Sequence, residues 1–338
     1  MGCYGVVFLQ FGYFCCWVGW GRDSHYQKSL YIFGFLTMNV LSKTALNRGM
    51  SNYVFVVYCY VFAFVVMAPF VVFVEKRVKL KMAFSIFMKI MILSLLESVI
   101  SQNLYFLGMK YSTAAFAVSM YNILPTITFV MAWILRLEKI KLKSTRSQAK
   151  VVGTLATVAG AMIMTLIKGP ILDLFGTHAN NTNNLQNGGV NLEHAIKGSV
   201  MIIISCFSCA CFMILQAITI EAYPAELSLT AWICLLGTVE GGIVALVMER
   251  NNFSAWSLKW DTKLFVAVYS GIVCSGLAYY IQGVMMKDRG PVFVTTFNPL
   301  CMVIVTIMGS FFLAEQMCLG RAIDAIVIIV GLYMVVWG

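Results

Sequence analysis

Two stretches of the chain carry almost the same pattern: residues 105–138, YFLGMKYSTAAFAVSMYNILPTITFVMAWILRLE, and residues 279–315, YYIQGVMMKDRGPVFVTTFNPLCMVIVTIMGSFFLAE. Each is long enough to form two apolar helices joined by a short polar turn. Each also holds an aromatic residue followed by asparagine, with a proline close behind: Tyr121, Asn122 and Pro125 in the first, and Phe297, Asn298 and Pro299 in the second. The chain is therefore an internal duplication. Repeats of this kind in an apolar chain indicate a secondary transporter whose site lies where the halves meet.

Composition places the chain in a lipid bilayer. Of its 338 residues, 60% are hydrophobic and 11% are charged, and the mean hydropathy is +0.85. A spanning helix needs about 20 apolar residues, and such runs occupy residues 53–74, 85–109, 112–135, 148–167, 198–220, 228–248, 263–285, 291–313 and 319–338, with one more before residue 47. The prediction is an all-α polytopic membrane protein of ten transmembrane helices, arranged as two five-helix repeats. An odd number of spans per repeat inverts the second relative to the first.

The net charge of +10 does not indicate a nucleic-acid partner, because the basic residues cluster in loops between spans. One such loop holds Lys76, Arg77, Lys79 and Lys81, and another holds Arg136, Lys139, Lys141, Lys143, Arg146 and Lys150. These loops are predicted to be cytosolic, as are both termini. The loop at 169–196 is predicted to be non-cytosolic.

No catalytic, metal or cofactor site is predicted. The eleven cysteines lie almost entirely within apolar runs, where free cysteine behaves as a small apolar residue. Cys206, Cys209 and Cys211 share one span, but nothing nearby completes a tetrahedral set of ligands. The three histidines lie in loops or near span ends, so the chain is not expected to be an enzyme.

Glu97 is the first candidate for substrate binding, because a charge near the middle of a span costs about 3 kcal/mol and needs a partner or a cavity. In an α-helix, Glu97, Ser101 and Tyr105 would share one face at i, i+4 and i+8. The alternative is that Glu97 only holds helix packing. Glu240 also lies mid-span, but the glycines around it favour close packing.

Asn122 and Asn298 recur in both halves beside a proline, which frees a backbone carbonyl and breaks the helix at Pro125 and Pro299. Groups at such breaks bind the ammonium and carboxylate of a small zwitterion. The alternative is that each asparagine only bonds its own broken helix. Further donors lie near the ends of the preceding spans, namely Gln102, Asn103, Tyr279, Tyr280 and Gln282. Lys43 is a candidate partner for a carboxylate, or it snorkels to the interface.

These segments resemble the plant nodulin-21-like, EamA-domain family, the walls-are-thin-related branch of the drug/metabolite transporter superfamily. The resemblance covers residues 38–338 and is carried by QNLYFLGMKYSTAAFAVSMYNILPTITFVMAWILRLEK, KGSVMIIISCFSCACFMILQAI, YPAELSLTAWICLLGT, WDTKLFVAVYSGIVCSGLAYYIQGVMMKDRGPVFVTTFNPLCMVIVTIMGSFFLAE and GLYMVVWG. It implies a ten-helix carrier of two five-helix EamA repeats. Members with a known role move amino acids across the cell boundary, and one relative moves auxin from the vacuole.

The chain departs from the family pattern at several places. Residues 14–37 separate two segments that are adjacent in the family and resemble a retained intron or an altered splice product. The predicted organisation is an atypical segment at 1–37, a first repeat at 38–168 whose first helix begins about residue 29, the loop at 169–196, and a second repeat at 197–338. Cys59 stands where the family has arginine, and Ser101 where it has aspartate. Losing this basic and acidic pair is expected to alter coupling or selectivity rather than the fold.

The leading hypothesis is a carrier or facilitator of amino acids that works by alternating access. The substrate is expected between Glu97, Asn122, Tyr280 and Asn298, with Gln102, Gln282 and Lys43 as further contacts. Two alternatives remain: a transporter of auxin or another small organic acid, and a non-transporting isoform that acts by association. The plasma membrane is the expected location, with the tonoplast as the alternative, and a homo-oligomer is compatible with the sequence.

Overall fold

A computed structural model of the chain describes residues 50–74, 83–111, 123–135, 192–250 and 262–295. It also describes positions 121, 137, 148, 152–153, 155–156, 171–172, 256, 317–318 and 330–331. The described chain is almost entirely helical, as predicted. The strands among the described residues form a two-residue antiparallel pair, β1 (Ile171–Leu172) with β2 (Met317–Cys318), in which Ile171 faces Cys318.

Two spans of the first repeat are described. Helix α1 is Asn52–Val74. The second span is composite, with α2 at Phe84–Ser94, a π-helix (π1) at Leu95–Ser101, and α3 at Gln102–Tyr111. A shorter apolar helix, α4, covers Leu124–Ile134.

The second repeat contributes α5 at Leu192–Ala222 and α6 at Glu226–Met248. Its next span is again composite, with α7 at Thr262–Ser270, a second π-helix (π2) at Gly271–Ala278, and α8 at Tyr279–Arg289. A short helix, α9, follows at Pro291–Thr295.

Five helical segments are long and apolar enough to cross a membrane: Asn52–Phe73, Phe84–Tyr111, Ile196–Ala222, Glu226–Met248 and Leu264–Asp288. These confirm five of the ten predicted spans. The predicted span at 112–135 overlaps α4, and the span at 291–313 begins with α9. The remaining three, at 148–167, at 319–338 and before residue 47, lie outside the described residues apart from a few isolated positions.

Helix α6 packs antiparallel to α1, since the Ser51 hydroxyl before α1 donates to Oε1 of Glu249 just after α6, at 2.6 Å. At its other end α6 meets α8, where the Lys287 ammonium pairs with Glu226. Between these ends, Gly237 of α6 lies directly against Tyr60 and Ser98: a β-carbon there would be 2.9 Å from the Tyr60 ring and 3.2 Å from Cβ of Ser98. Helices α1 and α6 and the π1 segment therefore converge near mid-span.

Gly271 lets π2 approach the backbone of α1 closely. A β-carbon at this position would be 2.6 Å from the carbonyl oxygen of Cys59 and 2.8 Å from Cβ of Phe62. Backbone atoms cannot move aside as a flexible side chain can. The contact therefore requires glycine.

Gly271→Ala is expected to lower the free energy of unfolding by about 1–3 kcal/mol, because the added methyl overpacks a backbone contact. Gly242→Ala is the matched control, since a β-carbon at Gly242 meets nothing within 4 Å and alanine is the better helix former. The check is the thermal unfolding midpoint of both purified variants in detergent. Equal midpoints for the two variants would contradict the proposed packing.

Candidate functional site

The π1 segment decides where the Glu97 side chain lies. The backbone N–H of Gln102 donates to the carbonyl of Glu97, five residues earlier, as in a π-helix. The α-helical spacing that predicted a stripe of Glu97, Ser101 and Tyr105 therefore does not hold here. The wider turn instead brings the Gln102 side chain to the same hydrogen-bonded group as Glu97.

The hydroxyl of Tyr279 is the centre of that group. It donates to Oε1 of Glu97 at 2.7 Å and accepts from Nε2 of Gln102 at 2.7 Å. The Tyr60 hydroxyl lies 3.2 Å from it and also accepts from Gln102, at 3.3 Å. Tyr60 lies in α1, Glu97 in π1, Gln102 in α3 and Tyr279 in α8, so the cluster joins the two repeats. We call these four residues the central cluster.

The central cluster is closed off from solvent. The exposed fraction is 6% for Glu97, 8% for Gln102 and Tyr279, and 0% for Tyr60. Aromatic rings surround it, with the ring centroid of Tyr279 lying 6.4 Å from that of Tyr60 and 5.9 Å from that of Phe212. Electron-rich ring faces favour a nearby cation.

One oxygen of Glu97 is left without a partner. Oε2 is buried and has no hydrogen-bond partner, and Glu97 forms no ion pair within the described part of the chain. A buried, unpaired carboxylate is too costly to persist in an apolar interior. The Glu97 carboxyl must therefore hold a proton or face a cation that a ligand brings.

Two further predicted donors, Gln282 and Asn103, hydrogen-bond to groups outside the central cluster. The Nε2 of Gln282 donates to Oε1 of Gln216 at 2.7 Å, deep in the protein. Asn103 donates to the carbonyls of Ser98 and Val99, at 2.9 and 3.1 Å. The part of Gln282 and Asn103 in binding stays a prediction.

Tyr280 and Pro125 make contacts outside the central cluster. Tyr280 packs against the apolar group of Met67, Leu227 and Ala231, whereas its neighbour Tyr279 makes the contact to Glu97. Pro125 stands at the start of α4, where its missing N–H needs no intrahelical partner. Lys43, Asn122, Asn298 and Pro299 lie outside the described residues.

Tyr60 is the site residue that sequence reasoning missed. It lies in α1 among residues of similar character, NYVFVVYCYVFAF, and no local pattern separates it from tyrosines that face lipid or the core. Its partner Tyr279 was named only as one of several donors. The signal available for Tyr279 was its position at the start of the second repeated stretch.

Glu240, the other mid-span carboxyl, is separate from the central cluster. Its Oε2 accepts from the hydroxyl of Ser94 at 2.8 Å, and the residue is only half-buried. The described residues include no group of three or more side chains able to hold a metal ion. Cys206, Cys209 and Cys211 form no disulfide bond with another described residue.

Comparison with known proteins gives consistent matches. A sequence model of the EamA-like transporter family matches residues 30–166 and 196–337. Three WAT1-related proteins of Arabidopsis thaliana are 63%, 55% and 52% identical to the chain over 90% of its length, covering 80%, 84% and 82% of the relatives. A solved crystal structure superposes with a TM-score of 0.67 at 14% identity, covering 94% of this chain and 99% of the other. That last likeness concerns the fold alone.

Tyr279→Phe is expected to lower the free energy of unfolding by about 1–3 kcal/mol, because it leaves buried partners in Glu97 and Gln102 without the hydroxyl they share. Tyr223→Phe is the matched control, since that hydroxyl lies 3.1 Å from the Ser228 hydroxyl, just after the end of α5 and away from the central cluster. The control should lose less than about 1 kcal/mol. Denaturant titration of both variants in detergent measures the difference, and equal losses would show that the Tyr279 hydroxyl is not a shared centre.

Proposed function

The chain belongs to the EamA-like transporter family, and from that premise we propose that it is a secondary carrier or facilitator of amino acids. The family and the apolar helices make it a multi-pass membrane transporter. The proposal adds the substrate class, and a cycle of alternating access between the two inverted repeats. It also adds the plasma membrane as the location, with the tonoplast as the alternative.

The unpartnered oxygen of Glu97 is the observation that supports amino acids most directly. A buried carboxyl without an ion-pair partner, lined by aromatic rings, suits the ammonium group of a substrate. An organic anion with no positive group, such as auxin, would bring no cation to the Glu97 carboxyl, which would then have to hold a proton and would gain no ion pair from binding. The site chemistry therefore favours a zwitterion over a simple organic acid.

The remaining groups of the zwitterion need partners as well. We assign the substrate carboxylate to the polar groups predicted at the helix breaks, Asn122 and Asn298, with Lys43 as a further candidate. Gln282 and Tyr280, which lie on α8 with Tyr279, complete the proposed set. Because the central cluster joins both repeats, a substrate bound to it is positioned to respond when the repeats move against each other.

The direct test is efflux of labelled glutamine and labelled auxin from cells that express the intact chain, beside a version lacking residues 14–37. Glutamine efflux from the intact chain is the expected result. Auxin efflux without glutamine efflux would overturn the proposal in favour of an organic-acid transporter. Glutamine flux that appears only after the deletion would identify the intact chain as a non-transporting isoform.

Glu97→Gln is expected to raise the KM for glutamine about 10- to 100-fold, because the amide keeps the shape of the side chain and removes the charge that pairs with the ammonium. Glu240→Gln is the matched control, as it neutralises the other mid-span carboxyl, which bonds Ser94 outside the central cluster. Its KM should stay within about twofold of the unaltered chain. The measurement is concentration-dependent uptake, normalised to surface expression. A larger rise in KM from Glu240→Gln than from Glu97→Gln would contradict binding of the ammonium group at Glu97.

A further inference from the structure

Two serines of α5 donate hydrogen bonds to backbone carbonyls of π1, the segment that carries Glu97. The hydroxyl of Ser205 donates to the carbonyl of Ser101 at 2.7 Å, and that of Ser208 donates to the carbonyl of Leu96 at 2.8 Å. Both serines are buried and lie three residues apart, on one face of α5. The two bonds flank Glu97, because Leu96 directly precedes it and Ser101 is the last residue of π1.

A π-helix needs such donors more than an α-helix does. The wider turn interrupts the regular ladder, so some carbonyls lose their intrahelical partner. In an apolar interior each such carbonyl must find another donor. Asn103 supplies one from within the same span, to Ser98 and Val99, and Ser205 and Ser208 supply two from the neighbouring helix.

The register of π1 decides whether the central cluster can form. Each residue of a helix advances the side-chain direction by about 100°, so conversion of π1 to an α-helix would rotate Glu97 and Gln102 relative to each other by about that amount. Glu97 and Gln102 could not then both reach the Tyr279 hydroxyl at 2.7 Å. Whatever holds the π-helical register therefore holds Glu97 in position.

The matching carbonyl of the second repeat also accepts from a side chain on another helix. Ser101 lies four residues before Tyr105, and Ser275 lies four residues before the equivalent Tyr279. The carbonyl of Ser275, inside π2, accepts from the thiol of Cys234 on α6 at 3.4 Å. In each repeat, a side chain on another helix thus donates to the carbonyl at this position.

We propose that Ser205 and Ser208 are positioning residues for Glu97: they hold the π-helical register of π1 from the second repeat, and through it the carboxyl that binds the substrate. The inference that Glu97 binds substrate rests on the proposed function. The positioning itself concerns only the surroundings of the Glu97 carboxyl, so it can be tested without transport.

The test without transport is covalent labelling of the purified protein by a membrane-permeant carbodiimide, which adds to protonated buried carboxyl groups. Mass spectrometry gives the labelling rate at Glu97, with Glu240 in the same molecule as internal reference. In Ser205→Ala/Ser208→Ala the ratio of the two rates should change at least about fivefold. Thr219→Val is the matched control, because the buried Thr219 hydroxyl lies on the same helix and donates to the Leu215 carbonyl within that helix, at 2.7 Å. The labelling ratio of Thr219→Val should stay within about twofold of that of the unaltered chain.

Ser205→Cys separates hydrogen bonding from packing. A thiol serves as the donor at the matching carbonyl of the second repeat, so Ser205→Cys should keep the ratio of the unaltered chain while Ser205→Ala changes it. An unchanged ratio in the double variant, or the same ratio in Ser205→Ala and Ser205→Cys, would overturn the proposal. The single variants decide the matter where the double variant fails to reach the membrane.

Transport then distinguishes failure of this proposal from failure of the proposed function. If the chain carries glutamine, Ser205→Ala/Ser208→Ala should raise the KM about tenfold and leave the maximal rate within about twofold. A changed labelling ratio in a chain that carries no glutamine would keep the positioning role and reject the substrate. Glutamine transport with an unchanged labelling ratio and an unchanged KM would keep the substrate and reject the positioning role.

Discussion

The hydrogen bond from the Tyr279 hydroxyl to Glu97 is the contact on which the centre of the molecule depends. It spans 2.7 Å between the second repeat and the first. Gln102 and Tyr60 both bond to the same hydroxyl, so their positions follow from it. Four polar side chains meet at a depth where the surroundings are apolar, and each would be costly there alone. The two repeats are thus joined by a polar contact rather than only by apolar packing.

The bilayer as solvent explains why so many serines and threonines bond to backbone carbonyls. Water cannot reach a carbonyl in the middle of the membrane, so a side chain must satisfy it. Thr128 and Thr219 do this within their own helices. Ser205 and Ser208 do it across a helix interface, at a π-helix. The same chemistry therefore satisfies carbonyls within single helices in one place and between helices in another.

The sequence predicted the membrane class and five spans that the structure describes, and it singled out Glu97, whose part in substrate binding stays a prediction. It did so because apolar length and a charge at mid-span are local signals. It could not predict that Leu95–Ser101 and Gly271–Ala278 are π-helical, since no local pattern in these stretches distinguishes a π-helix from an α-helix. For the same reason it could not distinguish Tyr279 from Tyr280 or single out Tyr60. These positions follow from packing between distant segments, which no periodicity encodes.

The burial of the central cluster bears on how transport could proceed. Glu97, Gln102, Tyr60 and Tyr279 are each at most 8% exposed, so under the proposed function a substrate would reach Glu97 only after helices separate. Helix α6 is tied to α1 at one end, through Ser51 and Glu249, and to α8 at the other, through Glu226 and Lys287. In the proposed cycle of alternating access, opening toward one side would release one of these ties while the other holds. Two separate ties at opposite ends of α6 therefore suit the proposed carrier, whose site would be exposed to one side at a time.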